Sequence, residues 1–221
     1  MATPDRDLRV LVLGASLSST SLNNRLATYT AKLVSDRGIT VDSVQIGDFD
    51  MPFYDRDIEV ETGPPVAAHR FCERLKAADA LIVASPEYNS SIPATIKNLI
   101  DWVSRFRPQP FNGKQALLMS ASPSMVGGNR GLWALRIPFE HLGTRVYPDM
   151  FSLAQAHQAW TPEGQLKEAA LQDRLDRTLG CFLEVVEATK HYPAIKKVWV
   201  EFLGEHPDAA TDRIEESEEA A

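Results

Sequence analysis

Three short stretches of this chain concentrate groups that bind and orient ligands. The first, Gly14-Ala-Ser-Leu-Ser-Ser-Thr-Ser-Leu-Asn23, sets four serines, a threonine and an asparagine just ahead of an amphipathic run. Hydroxyl and amide donors beside the N–H groups and positive dipole end of a helix form a cradle for a phosphate. The competing reading is a loop with an ordinary serine cap. The second stretch is Ser85-Pro-Glu-Tyr-Asn-Ser-Ser-Ile-Pro93. Its two prolines stiffen it, and Pro93 fits the first position of a following helix, where a missing N–H costs nothing. A rigid polar loop with one aromatic ring suits a planar heterocycle, with Tyr88 lying against it; a turn with a locally packed tyrosine is the plainer alternative. The third, Ser120-Ala-Ser-Pro-Ser-Met-Val-Gly-Gly-Asn129, contains Gly127 and Gly128, which permit close backbone approach or positive φ.

Other chemistries are not readable. Gly-x-Gly-x-x-Gly is absent, and no Gly-Lys-Ser/Thr follows the first stretch, so neither a dinucleotide fingerprint nor a Walker loop is present. The five histidines never pair at three- or four-residue spacing and have no cysteine beside them, which predicts no metal site. Cys72 and Cys181 read as inert buried thiols rather than a disulfide.

The elements that must position the three stretches follow from periodicity. Arg9 to Leu13 is a short apolar run, as for a strand buried on both faces. Leu22, Leu26, Tyr29, Leu33 and Val34 then recur at helical spacing up to Gly38. The alternation continues with strands at Thr40 to Ile46, Ala80 to Ala84, Gln115 to Ser120 and Arg145 to Leu153. Helices are expected at Val66 to Ala77, Ala94 to Phe106, Leu132 to His141 and Leu166 to Lys190. Five strands alternating with five helices predict an α/β doubly wound parallel sheet with helices on both faces. Ligands of such sheets bind at the carboxyl ends of the strands, where strand order reverses. The three polar stretches follow the first, third and fourth strands, so one crevice should receive all of them. Pro52 to Pro65 reads as a long loop, and its length suggests a functional cover.

Here a resemblance becomes specific. Gly14 to Asn23, the long block Ala78 to Trp102 and Gly127-Gly128 with Leu135-Arg136 are similar to the NAD(P)H-dependent FMN reductase family, which includes quinone, chromate and azo-dye reductases. The similarity spans roughly residues 8 to 190. It implies a flavodoxin-like five-stranded fold, bound FMN, NADPH or NADH as co-substrate, a small-molecule electron acceptor, and a homodimer or homotetramer. By resemblance, Ser16, Ser18, Ser21, Leu22 and Asn23 hold the FMN phosphate. Pro86, Glu87, Tyr88 and Asn89 hold the ribityl chain and ring, and Ser122 with Met125, Gly127 and Gly128 the far side of the ring. The family's usual arginine in the first loop is Ser18 here; Arg25 could compensate by folding back, or could simply be solvated.

Catalysis is assigned to no side chain, because flavin hydride chemistry draws its reactivity from the cofactor. Glu87 as a general acid is therefore weaker than Glu87 as a carboxylate that caps backbone or pairs with a neighbour. Packing, surface pairing or a subunit interface accounts for Lys97, Asp101 and Trp102. Trp133 and Trp160 could roof the flavin, though core or interface positions suit them better. With no second nucleotide fingerprint, nicotinamide and acceptor must share one crevice, which predicts ping-pong kinetics.

Composition bounds the partners. The net charge is −7, but seven acidic residues from Glu205 onward stand against Arg213 alone, leaving −6 on the tail and −1 on the rest. A flavodoxin-type electron carrier usually has an acidic face around its flavin, so the near-neutral body favours an enzyme; a non-catalytic FMN-binding sensor remains the other alternative. The expected organisation is one reductase domain over residues 1–203 and an acidic, disordered tail over 204–221. Acidity argues against a nucleic-acid partner. No run approaches the ~20 apolar residues of a membrane span, and the amino terminus lacks a secretory pattern, so a cytoplasmic location is expected.

Overall fold

A computed structural model describes residues 7–191; the expected acidic tail at 204–221 lies outside the described residues. Strand β1 (Arg9–Gly14) is central, paired in parallel with β2 (Thr40–Gln45) on one side and β3 (Ala80–Ala84) on the other. Strand β4 (Gln115–Ala121) follows β3, then β5 (Arg145–Val146), giving the order β2-β1-β3-β4-β5. Because β1 neighbours both β2 and β3, strand order reverses there, and the carboxyl ends of β1 and β3 open the crevice expected of such a sheet.

Alternate residues of the inner strands serve two separate cores. Leu11, Leu13, Leu81, Val83, Ala116 and Leu118 face α3 (Val66–Ala77), α4 (Ala94–Val103) and α5 (Asn129–His141), where Phe71, Trp102 and Phe139 are packed. Val10, Val12, Ile82, Leu117 and Met119 face α1 (Leu22–Ser35) and α6 (Ala169–His191), with Leu26, Leu179 and Phe182. Both faces being covered is why these strands read as continuous apolar runs. β2, the edge strand, keeps polar residues exposed.

Four expectations are corrected. The single fifth strand is two: β5 pairs Arg145 with Gln115, and β6 (Phe151–Leu153) pairs Phe151 with Met119. Between those pairs β4 advances four residues and its partner six: the Tyr147 N–H still donates to the Ala116 carbonyl, and the Pro148-Asp149-Met150 segment then leaves the ladder, where Pro148 has no N–H to offer. The long loop at 52–65 contains a helix, α2 (Arg56–Thr62), capped by Asp55, whose side chain accepts from the Asp57 N–H. Helix α5 starts at Asn129, three residues before its first apolar position, from a left-handed Gly128. Cys72 is buried, but Cys181 is exposed. On α6 it lies about 160–200° around from Leu179 and Leu183, which face the core. Among the described residues no helix is long and apolar enough to cross a membrane.

Candidate functional site

The loop leaving β1 turns through a series of hydroxyl-centred bends. The Ser16 hydroxyl accepts from the Ser18 N–H, the Ser18 hydroxyl from the Thr20 N–H, and both bonds measure 3.3 Å. Ser21 caps α1, its Oγ accepting from the N–H groups of Asn23 and Asn24 at 3.2 Å each. The cap and the cradle therefore coexist: the Ser21 O–H proton stays available, and Leu22, whose side chain packs on the core, presents a first-turn N–H that no intrahelical carbonyl reaches. Ser16 is buried, whereas Ser18 stands open to solvent. The first turn of α1 holds no acidic residue.

Asn23 points elsewhere. Its Nδ2 donates to the Ala121 carbonyl at 2.9 Å and its Oδ1 accepts from the Ala121 N–H at 2.8 Å. This buried amide bolts the β1–α1 loop to the end of β4 across 98 positions of sequence. It thus joins the first and third polar stretches, as a strut rather than an open donor.

The loop leaving β3 is a closed hairpin. Tyr88 and Ser91 exchange both backbone hydrogen bonds at 3.0 Å, and the two residues between them, Asn89 and Ser90, have φ of 51° and 62°. Positive φ at both central positions is a type I′ turn built without glycine, a local strain of the kind that clusters at ligand sites. Tyr88 is 54% exposed at its base, and Pro86 is buried.

Glu87 braces the wall of the crevice. Its carboxylate accepts from the Gly131 N–H at 3.0 Å and from Arg130 Nε at 2.8 Å. Burial alone would raise its pKa, but the Gly131 N–H and the Arg130 guanidinium outweigh burial and hold it below the usual carboxylate range. An ionised, doubly held carboxylate is a clamp between the β3–α4 loop and α5, not a proton donor. Gly131, invisible to the sequence reading, permits it: a Cβ there would lie 3.0 Å from Glu87 Cβ and 3.2 Å from the Ser91 carbonyl oxygen.

The loop leaving β4 is bound to the chain after β6. The Ser122 N–H donates to the Leu153 carbonyl, and the Gln155 and Ala156 N–H groups donate back to the carbonyls of Ser124 and Ser122. The close approach expected at the two glycines is to the protein itself. A Cβ on Gly128 would fall 2.0 Å from Ser120 Oγ, and one on Gly127 3.0 Å from the Ala154 nitrogen. Met125 projects outward, 74% exposed.

Lys97 and Asp101 form a surface pair at 2.6 Å, and Trp102 is fully buried, its indole N–H donating to the Pro52 carbonyl. Trp160 is buried beside Tyr29, while Trp133 is 57% exposed.

These features match known proteins. The model for NADPH-dependent FMN reductase matches residues 8–158. A quinone reductase of Escherichia coli K12 is 30% identical over 185 residues, covering 83% of this chain and 97% of the relative. An NAD(P)H-dependent FMN reductase of Pseudomonas aeruginosa is 33% identical over 175 residues, covering 78% and 92%. Among solved structures, the flavoenzyme NAD(P)H:(acceptor) oxidoreductase FerB of Paracoccus denitrificans superposes with a TM-score of 0.72 at 28% identity, over 82% of this chain and 98% of that one. With a family match across more than half its length, the chain belongs to the NADPH-dependent FMN reductase family.

Proposed function

We propose that the chain is an FMN-dependent oxidoreductase that takes hydride from NADPH or NADH and delivers it to a small-molecule acceptor of the quinone, azo, metal-oxyanion or free-flavin class. The observation that carries this reading is the convergence of three polar loops at the carboxyl ends of β1, β3 and β4, the first and third tied to each other by Asn23 and the second to α5 by Glu87. The donor set fits the cofactor. Ser16, Ser18 and Ser21 place hydroxyls at a helix N-terminus without a carboxylate to repel a phosphoryl group. Pro86, Tyr88 and Asn89 form a stiff polar edge for the ribityl chain and ring. Ser122, Met125, Gly127 and Gly128 shape the opposite wall.

When bound, FMN supplies the two-electron chemistry. The chain's own contribution is to position the ring, exclude water and leave room for one planar substrate at a time, so nicotinamide and acceptor enter in turn and the kinetics are ping-pong. Glu87, held ionised, orients the wall and transfers no proton.

Anaerobic mixing of the FMN-loaded protein with NADPH, and separately NADH, is expected to bleach the flavin absorbance before any acceptor is present, and quinone is expected to restore it. A flavin that stays oxidised with both nicotinamides rejects the reductase in favour of a carrier or sensor. We also propose a homodimer or homotetramer. Trp133 and Ile137, one turn apart on α5, are 57% and 72% exposed, an apolar surface suited to a second copy. Light scattering at micromolar concentration should give at least twice the 24.5 kDa chain mass; a monomer rejects it.

A further inference from the structure

The phosphate cradle has hydroxyls but no cation of its own, since Ser18 stands where the resembled family carries arginine. One turn into α1, Arg25 lies with its guanidinium carbon 4.6 Å from the centroid of the Trp160 ring. Trp160 is itself immobilised: it is 6% exposed, meets the Tyr29 ring edge-on at 5.5 Å and bridges to Leu166. Tyr29 follows Arg25 by four residues, so both project from one side of α1 onto the same indole. Among the described residues the exposed Arg25 side chain makes no ion pair or hydrogen bond, and the first turn of α1 contains no acid.

That placement is electrostatically odd. The N-terminal end of a helix carries the positive pole of the macrodipole, which disfavours a cation and favours an anion. An unpaired arginine near this pole, held on an aromatic face, is a poor arrangement for the empty protein and a good one for a bound anion. Long helical side chains also lean toward the N-terminus, which directs Arg25 back over the turn capped by Ser21. Stacking on Trp160 removes rotamer freedom before any ligand arrives, so less is lost on binding.

We propose that Arg25, preorganised on Trp160, is the charge partner of the FMN 5′-phosphate, delivered from the helix in place of the missing loop arginine. The proposal rests on reading the β1–α1 loop as the phosphate cradle. Arg25 is then what lets the site prefer FMN over riboflavin.

The test uses the full chain stripped of flavin, titrated with FMN and with riboflavin by flavin fluorescence. R25Q is expected to raise the FMN dissociation constant about 10- to 100-fold, as for loss of a charge-assisted hydrogen bond, and to leave riboflavin unchanged. R25K should recover part of the loss, and the salt dependence of FMN binding should flatten in R25Q. The flavin-free R25Q protein should melt no lower than wild type, because it relieves the clash with the dipole, and the order should reverse once FMN is added. An R25Q that binds FMN within twofold of a wild type that prefers FMN overturns the role of Arg25 alone, as does an equal loss for both flavins. Wild-type protein that binds FMN and riboflavin equally removes the phosphate cradle and this inference with it.

Discussion

Arg105→Ala is expected to lower unfolding stability by about 3–5 kcal/mol, the cost of leaving a buried carboxylate without its counter-ion. Glu59 on α2 has a side chain only 4% exposed, and it accepts from Arg105 Nε at 2.7 Å and from the Tyr54 hydroxyl at 2.7 Å. Burial and that carboxylate push the Tyr54 phenol above its ordinary value, so it remains a protonated donor at neutral pH. The opposite change, Glu59→Ala, should cost less, because Arg105 retains 19% exposure and can reach water. A double variant with apolar side chains at both positions should recover much of the loss. Urea unfolding of the three variants checks the ordering; equal losses for the two single changes would mean that packing, not charge, dominates there.

The consequence of that pair reaches the site. Asn98 and Trp102 fall at i and i+4 on α4, one stripe of the helix, and Arg105 follows just past its C-cap Ser104. Asn98 accepts from the Tyr54 N–H and donates to the Pro52 carbonyl, which Trp102 also engages. The stripe thus pins the segment after β2 against the helix whose N-terminus carries the Tyr88 hairpin. Asn98 and Trp102 belong to the long block that resembles known reductases, and latching this segment is what the structure gives them to do.

Much of this architecture was legible because it is local. The apolar runs of β1, β3 and β4, the periodic faces of α1 and α3, and the polar loops between them are patterns within a few residues of chain. What escaped was set by partners far away in sequence. Glu87 and its clamp are separated by 43 and 44 positions, and Asn23 and Ala121 by 98, so the bonds these two residues make lie outside any local pattern. α2 has only seven residues and depends on Glu59 reaching Arg105, just past α4; its amphipathic signal is too short to register. The break between β5 and β6 was visible as Pro148, yet the two registers on β4 that make it a break are properties of the sheet.

Asn23→Leu separates the two readings of that residue. Leucine is close in size but leaves the Ala121 N–H and C=O, both in a buried setting, without partners. At about 1–3 kcal/mol for each unsatisfied group, the expected loss of stability is roughly 2–6 kcal/mol in the flavin-free protein. The strut also sets the spacing between the cradle at α1 and the wall after β4. FMN and riboflavin affinities should therefore fall together, because ring and phosphate subsites lose their register at once. A direct phosphate ligand would behave differently, with flavin-free stability untouched and FMN alone weakened. Urea unfolding of the stripped protein beside paired FMN and riboflavin titrations distinguishes the two. Selective loss of FMN at unchanged stability would return Asn23 to the cradle and leave the junction between the loops to the backbone bonds of the sheet.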